Sequence, residues 1–281
     1  MGGNDADDPR ARALRGFDVS VPSPARMWNY WVGGKDNFAA DREAAARVQE
    51  AMPAMPAVAR SVRRFLIDTV STLAAEYGIR QFLDIGTGLP TADNTHEVAQ
   101  RVDPTARIVY VDNDPIVLSH ARALLVSDSA GATDYLQADL RDTAAILSAA
   151  ARTLDFSQPV AVLLLSVLHF IPDADDPHGV VKRLMDAVPT GSFLVVCHAP
   201  SDLLPAQIAE MTRRYVASGA APMRPRSRAE VAGFFEGLEL IGPGVVPSAE
   251  WRWPGADESA ADATSRAGYV GVGRKRDAAA R

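Results

Sequence analysis

A glycine-rich loop follows an apolar run in the stretch QFLDIGTGLPT, which ends at Thr91. Gly86 and Gly88 allow the backbone to approach a ligand closely where a strand turns into a loop. Thr91 stands where a dinucleotide fingerprint needs its third glycine. The best helix cap, Asn94 with Glu97 three residues later, lies too far after the glycines for the N-terminus of the helix to contact a diphosphate. The loop therefore predicts a nucleoside ligand without a diphosphate.

Acidic residues end two further predicted strands and could complete a nucleoside site. Asp112 ends the run RIVYVD and suits a carboxylate that accepts both ribose hydroxyls. Asp114 lies directly before Pro115 and is the better cap for the next helix, which leaves Asp112 free for a ligand. Asp139 follows the third strand and is either a contact for an adenine amino group or an ordinary strand-end acid.

Composition limits the kind of protein and its partners. The 281 residues, 47% of them hydrophobic, can bury one sizeable core. The net charge of -6 and the scattered basic residues disfavour nucleic acid as a partner. The single cysteine, Cys197, excludes an internal disulfide and points to a reducing compartment. The histidines have no ligand-like spacing with cysteines or carboxylates, so no metal site is predicted.

Two features argue against export and membrane insertion. Residues 1–20 carry acids where a signal peptide needs a basic end and an apolar middle, and we expect them to form a disordered leader. The longest apolar run, from Val160 to Leu168, is too short to cross a bilayer and is typical of a buried parallel strand. We therefore expect a cytoplasmic protein without a membrane partner.

Strand-like and helix-like segments alternate along most of the chain. The strand-like runs are QFLDIG, RIVYVD, TDYLQAD, VAVLLLSVL and SFLVVCHA, and a helical pattern follows each of them. Such alternation implies right-handed crossovers and a parallel sheet with helices on both faces. LELIGPGVV and GYVGVGR predict two further strands, the last one at or near an edge. The prediction is a doubly wound α/β domain over residues 79–276.

The region before this domain does not fit the alternation, and residues 21–78 are predicted to form an N-terminal helical cap. A Ser-Pro pair marks the start of a short helix that carries Trp28, Tyr30 and Trp31. These three side chains cannot all face one core from such a helix. We therefore expect residues 20–45 to fold as a lid over the carboxyl ends of the strands, although packing on outer helices or a dimer contact would also explain them.

Several motifs resemble those of a known family. LDIGTG, VYVDND, QADL and LLLSVLHFIPD, in this order and at the strand ends, resemble the motifs of class I S-adenosylmethionine-dependent methyltransferases. SPARMWNYWVGGKDNFAADREAA, VDNDP, FFEGLELIGPGVV and YVGVGRK extend the similarity to one bacterial, actinobacterial-type S-adenosyl methyltransferase family. The resemblance implies a Rossmann-like sheet of seven strands, the last antiparallel, and S-adenosylmethionine as methyl donor. Val62 departs from the asparagine expected before Arg63, and the acceptor is not implied.

The loop, the strand ends and the resemblance together predict the side chains that bind the cofactor. These are Asp84, Gly86, Thr87, Gly88, Asp112, Asn113, Asp139, Leu140, Ser166 and Asn37. A sulfonium methyl group is already activated, so transfer needs mainly alignment and exclusion of water, plus a base for a hydroxyl or ammonium acceptor. His169 and Tyr30 are the candidate catalytic residues, as base or acceptor contact, although His169 could equally be a packed loop residue.

Three functions remain open at this point. The leading hypothesis is methyl transfer to a small-molecule acceptor. The second is a regulatory protein that binds S-adenosylmethionine or S-adenosylhomocysteine without turnover, because binding motifs survive the loss of catalysis. A nicotinamide-dependent dehydrogenase is disfavoured by Thr91 and the late helix cap. The sequence leaves the oligomeric state open, a homodimer included.

Overall fold

The computed structural model describes residues 18–124, 128–254 and 268–277, and the side chains of 120–124 lie outside this description. The predicted leader therefore lies outside the described residues up to position 17. Among the described residues, no helix combines the length and the apolar character that crossing a membrane requires.

The strands of the molecule form a single sheet. The strands are β1 (Gln81–Ile85), β2 (Arg107–Asp112), β3 (Ala132–Gln137), β4 (Ala161–Leu165), β5 (Phe193–His198), β6 (Glu239–Leu240), β7 (Val246–Pro247) and β8 (Tyr269–Arg274). Their order is β3-β2-β1-β4-β5-β8-β6, and β7 also pairs with β8. The strands β1 to β5 pair in parallel, and β8 lies antiparallel between β5 and β6. The predicted doubly wound sheet with an antiparallel last strand is confirmed.

One predicted strand is divided in two. The run LELIGPGVV gives the short strands β6 and β7, each paired with β8, so the described residues form eight strands where seven were expected. Gly242 and Gly244 between them have φ angles of 61° and 79°, outside the extended range. Pro243 has no N–H to donate to a neighbouring strand. This Gly-Pro-Gly turn therefore interrupts the pairing.

Helices cover both faces of the sheet. They are α1 (Pro24–Trp31), α2 (Ala39–Ala51), α3 (Met55–Ala75), α4 (Thr95–Val102), α5 (Pro115–Leu124), α6 (Thr143–Ala150), α7 (Pro177–Asp186), α8 (Pro205–Ala217) and α9 (Arg228–Gly233). Alternate side chains of the central strands belong to different hydrophobic clusters, because successive residues of a strand point to opposite faces. Phe82 and Ile108 pack with α1 to α4 and α8, whereas Leu83 and Val109 pack with α6, α7 and α9.

The run SVRRFLIDTVSTLAAEYG predicts an amphipathic helix that begins near Ser61. This helix is α3, and it begins earlier, at Met55. Its apolar stripe, including Phe65, Leu66 and Leu73, is buried as the spacing of three and four residues indicated. The first turn of this helix contains a proline. Proline is tolerated there because an N–H at that position has no partner within the helix.

The N-terminal segment is part of the main core. Met27 of α1 and Ala45 and Val48 of α2 are fully buried in the cluster that also contains α3 and the sheet. A buried ion pair joins the two short helices, with 3.1 Å between Arg26 Nε and Asp41 Oδ1. The carboxylate of Asp41 also accepts the backbone N–H groups of Ser23 (2.9 Å) and Phe38 (2.8 Å). Asp41 therefore holds both ends of this segment together.

A second bond fastens the segment to the sheet. Ser23 stands at the N-cap position of α1, as predicted, but its side chain makes no capping bond there. Its hydroxyl instead donates to Asp114 Oδ2 at 2.6 Å. Asp114 in turn accepts the N–H of Ile116 (2.9 Å) and so caps α5, as the sequence indicated.

We expect Asp41→Ala to lower the free energy of unfolding by about 3–5 kcal/mol, the usual effect of removing one partner from a buried ion pair. Arg26 would keep a buried charge, and two backbone N–H groups would lose their acceptor. Asp186→Ala is the matched control, because Asp186 pairs with Lys182 on an exposed helix face and should change stability by less than about 1 kcal/mol. Denaturant unfolding measures both variants, and equal losses would contradict the role given to Asp41.

Candidate functional site

A cavity of about 610 Å³ lies at the carboxyl ends of the parallel strands. Its lining includes a residue from the loop after each of β1 to β5: Gly86, Asn113, Ala138, Ser166 and Ala199. Helices α1, α3 and α8 supply the remaining walls. Ligands of open parallel sheets bind at this edge, so the cavity is the candidate site.

The two glycines of the loop after β1 have different tasks. Gly86 has a φ angle of 75°, and its N–H donates to Val111 O at 2.8 Å. A Cβ at this position would lie 2.7 Å from Val167, so only glycine fits against the loop after β4. Gly88 has a φ angle of 68°, and a Cβ there would meet nothing within 4 Å. The first glycine makes the turn tight, and the second leaves backbone open to a ligand, as the sequence predicted.

Asp112 is the buried carboxylate beside this loop. Its Oδ2 accepts the N–H of Gly88 and its Oδ1 accepts the N–H of Asp114, each at 2.9 Å. Burial raises its pKa to about 6, although these hydrogen bonds favour the ionised form. Each oxygen keeps a second lone pair, and two adjacent oxygens can accept a pair of neighbouring hydroxyl groups.

Asp84 and Arg63 form a second polar group beside the loop. Burial raises the pKa of Asp84 to about 6, and its Oδ2 accepts the hydroxyl of Thr95 at 2.6 Å. Arg63 lines the cavity from α3, and its Nη2 donates to Ala92 O at 2.6 Å. Its Nε is buried and has no hydrogen-bond partner among the described residues. An unused guanidinium N–H at a cavity wall suits an anionic group of a ligand.

The loop after β3 supplies Asp139 and Leu140 to the lining. The guanidinium of Arg141 donates to both oxygens of Asp139, and it holds the pKa of that carboxyl below its usual range. Arg141 also donates to Asp175 Oδ2 at 2.9 Å. Asp139 therefore lies at the cavity as predicted. Its hydrogen bonds with Arg141 also connect this loop to the loop after β4.

The remaining predicted cofactor contacts also line the cavity. Thr87 lies between the two glycines, and Asn113 follows Asp112 with an exposed side chain. Ser166 has a φ angle of 62°, a left-handed conformation that non-glycine residues adopt rarely. Its N–H donates to Cys197 O at 2.9 Å, which holds the strained turn in place after β4.

His169 lies on the short 3-10 turn after β4 and lines the cavity. Burial, together with the neighbouring His198 and Arg226, holds the pKa of its imidazole well below the usual range. Its Nδ1 accepts the N–H of Ala199 at 3.4 Å, so the neutral ring carries its proton on Nε2. A general base must gain a proton, and these surroundings oppose that. His169 is therefore better suited to donate a hydrogen bond than to act as a base.

Two predicted site residues lie away from the cavity. Tyr30 is not among its lining residues and packs half-buried against the main core, because it points away from Trp28 and Trp31 on α1. Asn37 precedes α2, where its amide donates to Asn29 Oδ1 (2.9 Å) and to a nearby backbone carbonyl (3.0 Å). The geometry gives no support to Tyr30 as a catalytic residue or to Asn37 as a cofactor contact.

The cavity wall formed by α8 was not predicted from the sequence. Ile208, Met211 and Tyr215 line the cavity from one face of this helix, and Met223 lines it from the following loop. A spacing of three and four residues is found in any amphipathic helix packed on a core, so it does not distinguish a cavity wall from a core contact. Trp28 and Trp31, by contrast, line the cavity as the expected aromatic contribution of α1.

Comparison with known proteins decides the family. A family model described as S-adenosyl methyltransferase matches residues 10–276, nearly the whole chain. The chain belongs to this family. It is an S-adenosylmethionine-dependent methyltransferase, with S-adenosylmethionine as its methyl donor.

Solved structures agree with the family. The methyltransferase is 43% identical to a DUF574 family protein from Streptomyces avermitilis, with a TM-score of 0.87 over 92% of this chain and 99% of the other. It is 40% identical to a predicted methyltransferase from Thermobifida fusca, with a TM-score of 0.84 over 92% and 97%. The plantazolicin methyltransferase BpumL, solved with S-adenosylhomocysteine and a triazolic desmethylPZN analog, is 12% identical with a TM-score of 0.52 over 90% and 96%, and shares the fold alone. No curated protein matches the sequence significantly.

The cavity of the methyltransferase fits its cofactor. Gly88 leaves backbone open toward the cavity, and the buried carboxylate of Asp112 would be available to the ribose hydroxyls. The unpartnered Nε of Arg63 suits the carboxylate of the amino-acid end. When bound, S-adenosylmethionine supplies a methyl group on a positively charged sulfur.

We expect Asp112→Ala to weaken binding of S-adenosylhomocysteine at least tenfold while the fold survives. Charge-assisted hydrogen bonds contribute about 1.5–3 kcal/mol each, and the variant would lose those to the ribose hydroxyls. Calorimetric titration measures the dissociation constant, and thermal unfolding checks the fold. Asp186→Ala, which changes an exposed ion pair and not the cavity lining, should bind normally. An unchanged dissociation constant for Asp112→Ala would remove this residue from the site.

We expect Arg63→Gln to weaken binding of S-adenosylhomocysteine about tenfold but to leave binding of methylthioadenosine nearly unchanged. Methylthioadenosine has the same nucleoside and sulfur but no carboxylate, so only the first ligand can use the guanidinium. Arg64→Gln, at the next position of α3 and outside the cavity lining, is the matched control. Equal losses for both ligands would place Arg63 in a purely structural role.

Proposed function

We propose that this methyltransferase acts on a small-molecule acceptor held in the cavity between the glycine loop and α8. The observation that carries the proposal is the continuous lining of this cavity. It runs from the cofactor-binding loop at Gly86 and Gly88 to Met211 and Tyr215 of α8. The N-terminal segment contributes Trp28 and Trp31 to the same lining, so donor and acceptor share one chamber.

The closure of this chamber favours a small acceptor over a macromolecular one. Asp18 and residues 21–26 line the cavity, and the bond from Ser23 to Asp114 holds this segment against the start of α5. The ion pair between Arg26 and Asp41 holds the same segment against α2. A nucleic acid or a folded protein would need an open groove. The net charge of -6 also disfavours contact with the phosphates of a nucleic acid.

The chain's residues supply alignment more than proton transfer. In the reaction the bond between methyl carbon and sulfur breaks with its electrons left on sulfur, and a lone pair of the acceptor forms the new bond to carbon. A hydroxyl acceptor must lose its proton, and His169 is a poor recipient because it is buried beside Arg226. The proton therefore leaves to bulk water before the acceptor is enclosed. Ordering of the reactants in a chamber that excludes water then accounts for the acceleration.

We further propose a bacterial, cytoplasmic enzyme. Two relatives with 40% identity or more come from Streptomyces avermitilis and Thermobifida fusca. A single, buried cysteine suits a reducing compartment.

Release of S-adenosylhomocysteine in the presence of a panel of small acceptors tests the proposal. We expect release above the rate without acceptor for at least one class of small molecule, and no release with protein or nucleic-acid acceptors. The Asp112→Ala variant should lose this release in parallel with cofactor binding. Tight binding of S-adenosylmethionine without release for any acceptor would instead support a regulatory protein that binds the cofactor without turnover.

A further inference from the structure

The acceptor end of the cavity differs in chemistry from the cofactor end. Around the glycine loop the lining includes the carboxylates of Asp84, Asp112 and Asp114. The other end is walled by residues of the main core cluster or packed against it: Trp28, Trp31, Phe170, Met211, Tyr215 and Met223. Its surface is therefore aromatic and sulfur-rich.

No charged side chain reaches this end from α8 or from residues 218–223, all of which the structure describes. The charged residues of α8 face away from the cavity. Glu210 pairs with Arg213 and Arg214, and Arg214 also pairs with Glu50 of α2. A phosphate or carboxylate on the acceptor would lose its hydration here without gaining a counter-charge, which is strongly unfavourable. This wall therefore favours an acceptor whose body is uncharged.

The aromatic rings favour a flat acceptor. Trp28 and Trp31 meet edge to face with 6.2 Å between ring centroids, and Phe170 stacks on Tyr215 at 5.7 Å. Aromatic rings pack well against such arrangements, and methionine side chains adapt to ring edges. Puckered aliphatic rings make fewer contacts of this kind.

Two polar side chains, Tyr215 and His169, belong to this apolar wall. The hydroxyl of Tyr215 is in a buried side chain and has no hydrogen-bond partner among the described residues. His169 carries a proton on Nε2, as its bond from Ala199 indicates. Phe170 contacts both rings, with centroids 4.3 Å from His169 and 5.7 Å from Tyr215. Each group can donate a hydrogen bond to an oxygen atom of a ligand.

We propose that the acceptor is a flat, otherwise uncharged aromatic molecule whose phenolic oxygen is bound by Tyr215 and His169. This inference rests on the proposed methyl transfer. The phenol gives its proton to water and reacts as the phenolate, whose negative charge is balanced by the positive sulfonium of the donor and whose lone pair forms the oxygen–methyl bond. The bond from methyl carbon to sulfur breaks at the same time, so the positive sulfonium becomes a neutral thioether and the phenolate a neutral ether.

Calorimetric titration of the protein saturated with S-adenosylhomocysteine tests the acceptor class without depending on turnover. The probes are a naphthol, the naphthoate of the same substitution pattern and the corresponding decahydronaphthol. We expect the naphthol to bind at least tenfold more tightly than either of the others. Equal or tighter binding of the naphthoate or the decahydronaphthol, or no binding of the naphthol at millimolar concentration, would overturn the proposal.

Substitution of Tyr215 tests the hydrogen bond. Tyr215→Phe should weaken naphthol binding about threefold to tenfold, the typical range for one neutral hydrogen bond, and leave S-adenosylhomocysteine binding unchanged. Val216→Ala, which changes an exposed side chain on the same helix, should alter neither. Naphthol binding that Tyr215→Phe leaves unchanged would refute the assigned contact. Selective naphthol binding without release of S-adenosylhomocysteine from S-adenosylmethionine would support this acceptor class while counting against methyl transfer.

Discussion

The reversal of strand order between β1 and β4 is the constraint on which the site depends. From β1 the chain proceeds to β2 and β3 on one side, and from β4 it proceeds to β5 on the other. The connections therefore diverge and leave a crevice beyond these two strand ends. Gly86 and Val167 meet there so closely that a Cβ on the glycine would lie 2.7 Å from the valine. The loops after β1, β2 and β4 converge on this crevice, and the N-terminal segment and α8 complete its walls.

Two carboxylates at this crevice work against stability. Burial raises the pKa of Asp84 and of Asp112 from 3.8 to about 6. Between about pH 4 and pH 6 the folded protein therefore binds more protons at these groups than the unfolded chain does. The free energy of unfolding that they contribute falls as pH rises through this window, the reverse of a salt-bridged carboxylate. Thr95, Arg63 and backbone N–H groups reduce this loss. Carboxyl groups with pKa values raised in this way are typical of a binding site.

The sequence predicted the parts of the site whose chemistry is local. Gly86 and Gly88 need positive φ angles, and Asp112 stands one strand away, so a motif of a few residues located them. It also predicted the sheet, because alternation of periods reports the fold directly. The position of Tyr30 and the wall from α8 depend instead on how helices distant in sequence pack together. Local patterns do not encode that rotation, so Tyr30 was placed at the site while Tyr215 was missed.

The walls of the acceptor end are fixed before any ligand binds. Arg226, with 1% of its side chain exposed, donates to the carbonyls of Leu168 and Ile171 at 3.1 and 2.9 Å and to His198 Nε2 at 3.1 Å. One buried cation thus joins the loop after β4 to the end of β5. The N-terminal segment that lines this end is also part of the core, because its Met27 is fully buried in the main hydrophobic cluster. A chamber preorganised in this way loses little freedom on binding, so the choice of acceptor depends on the shape and polarity of its walls.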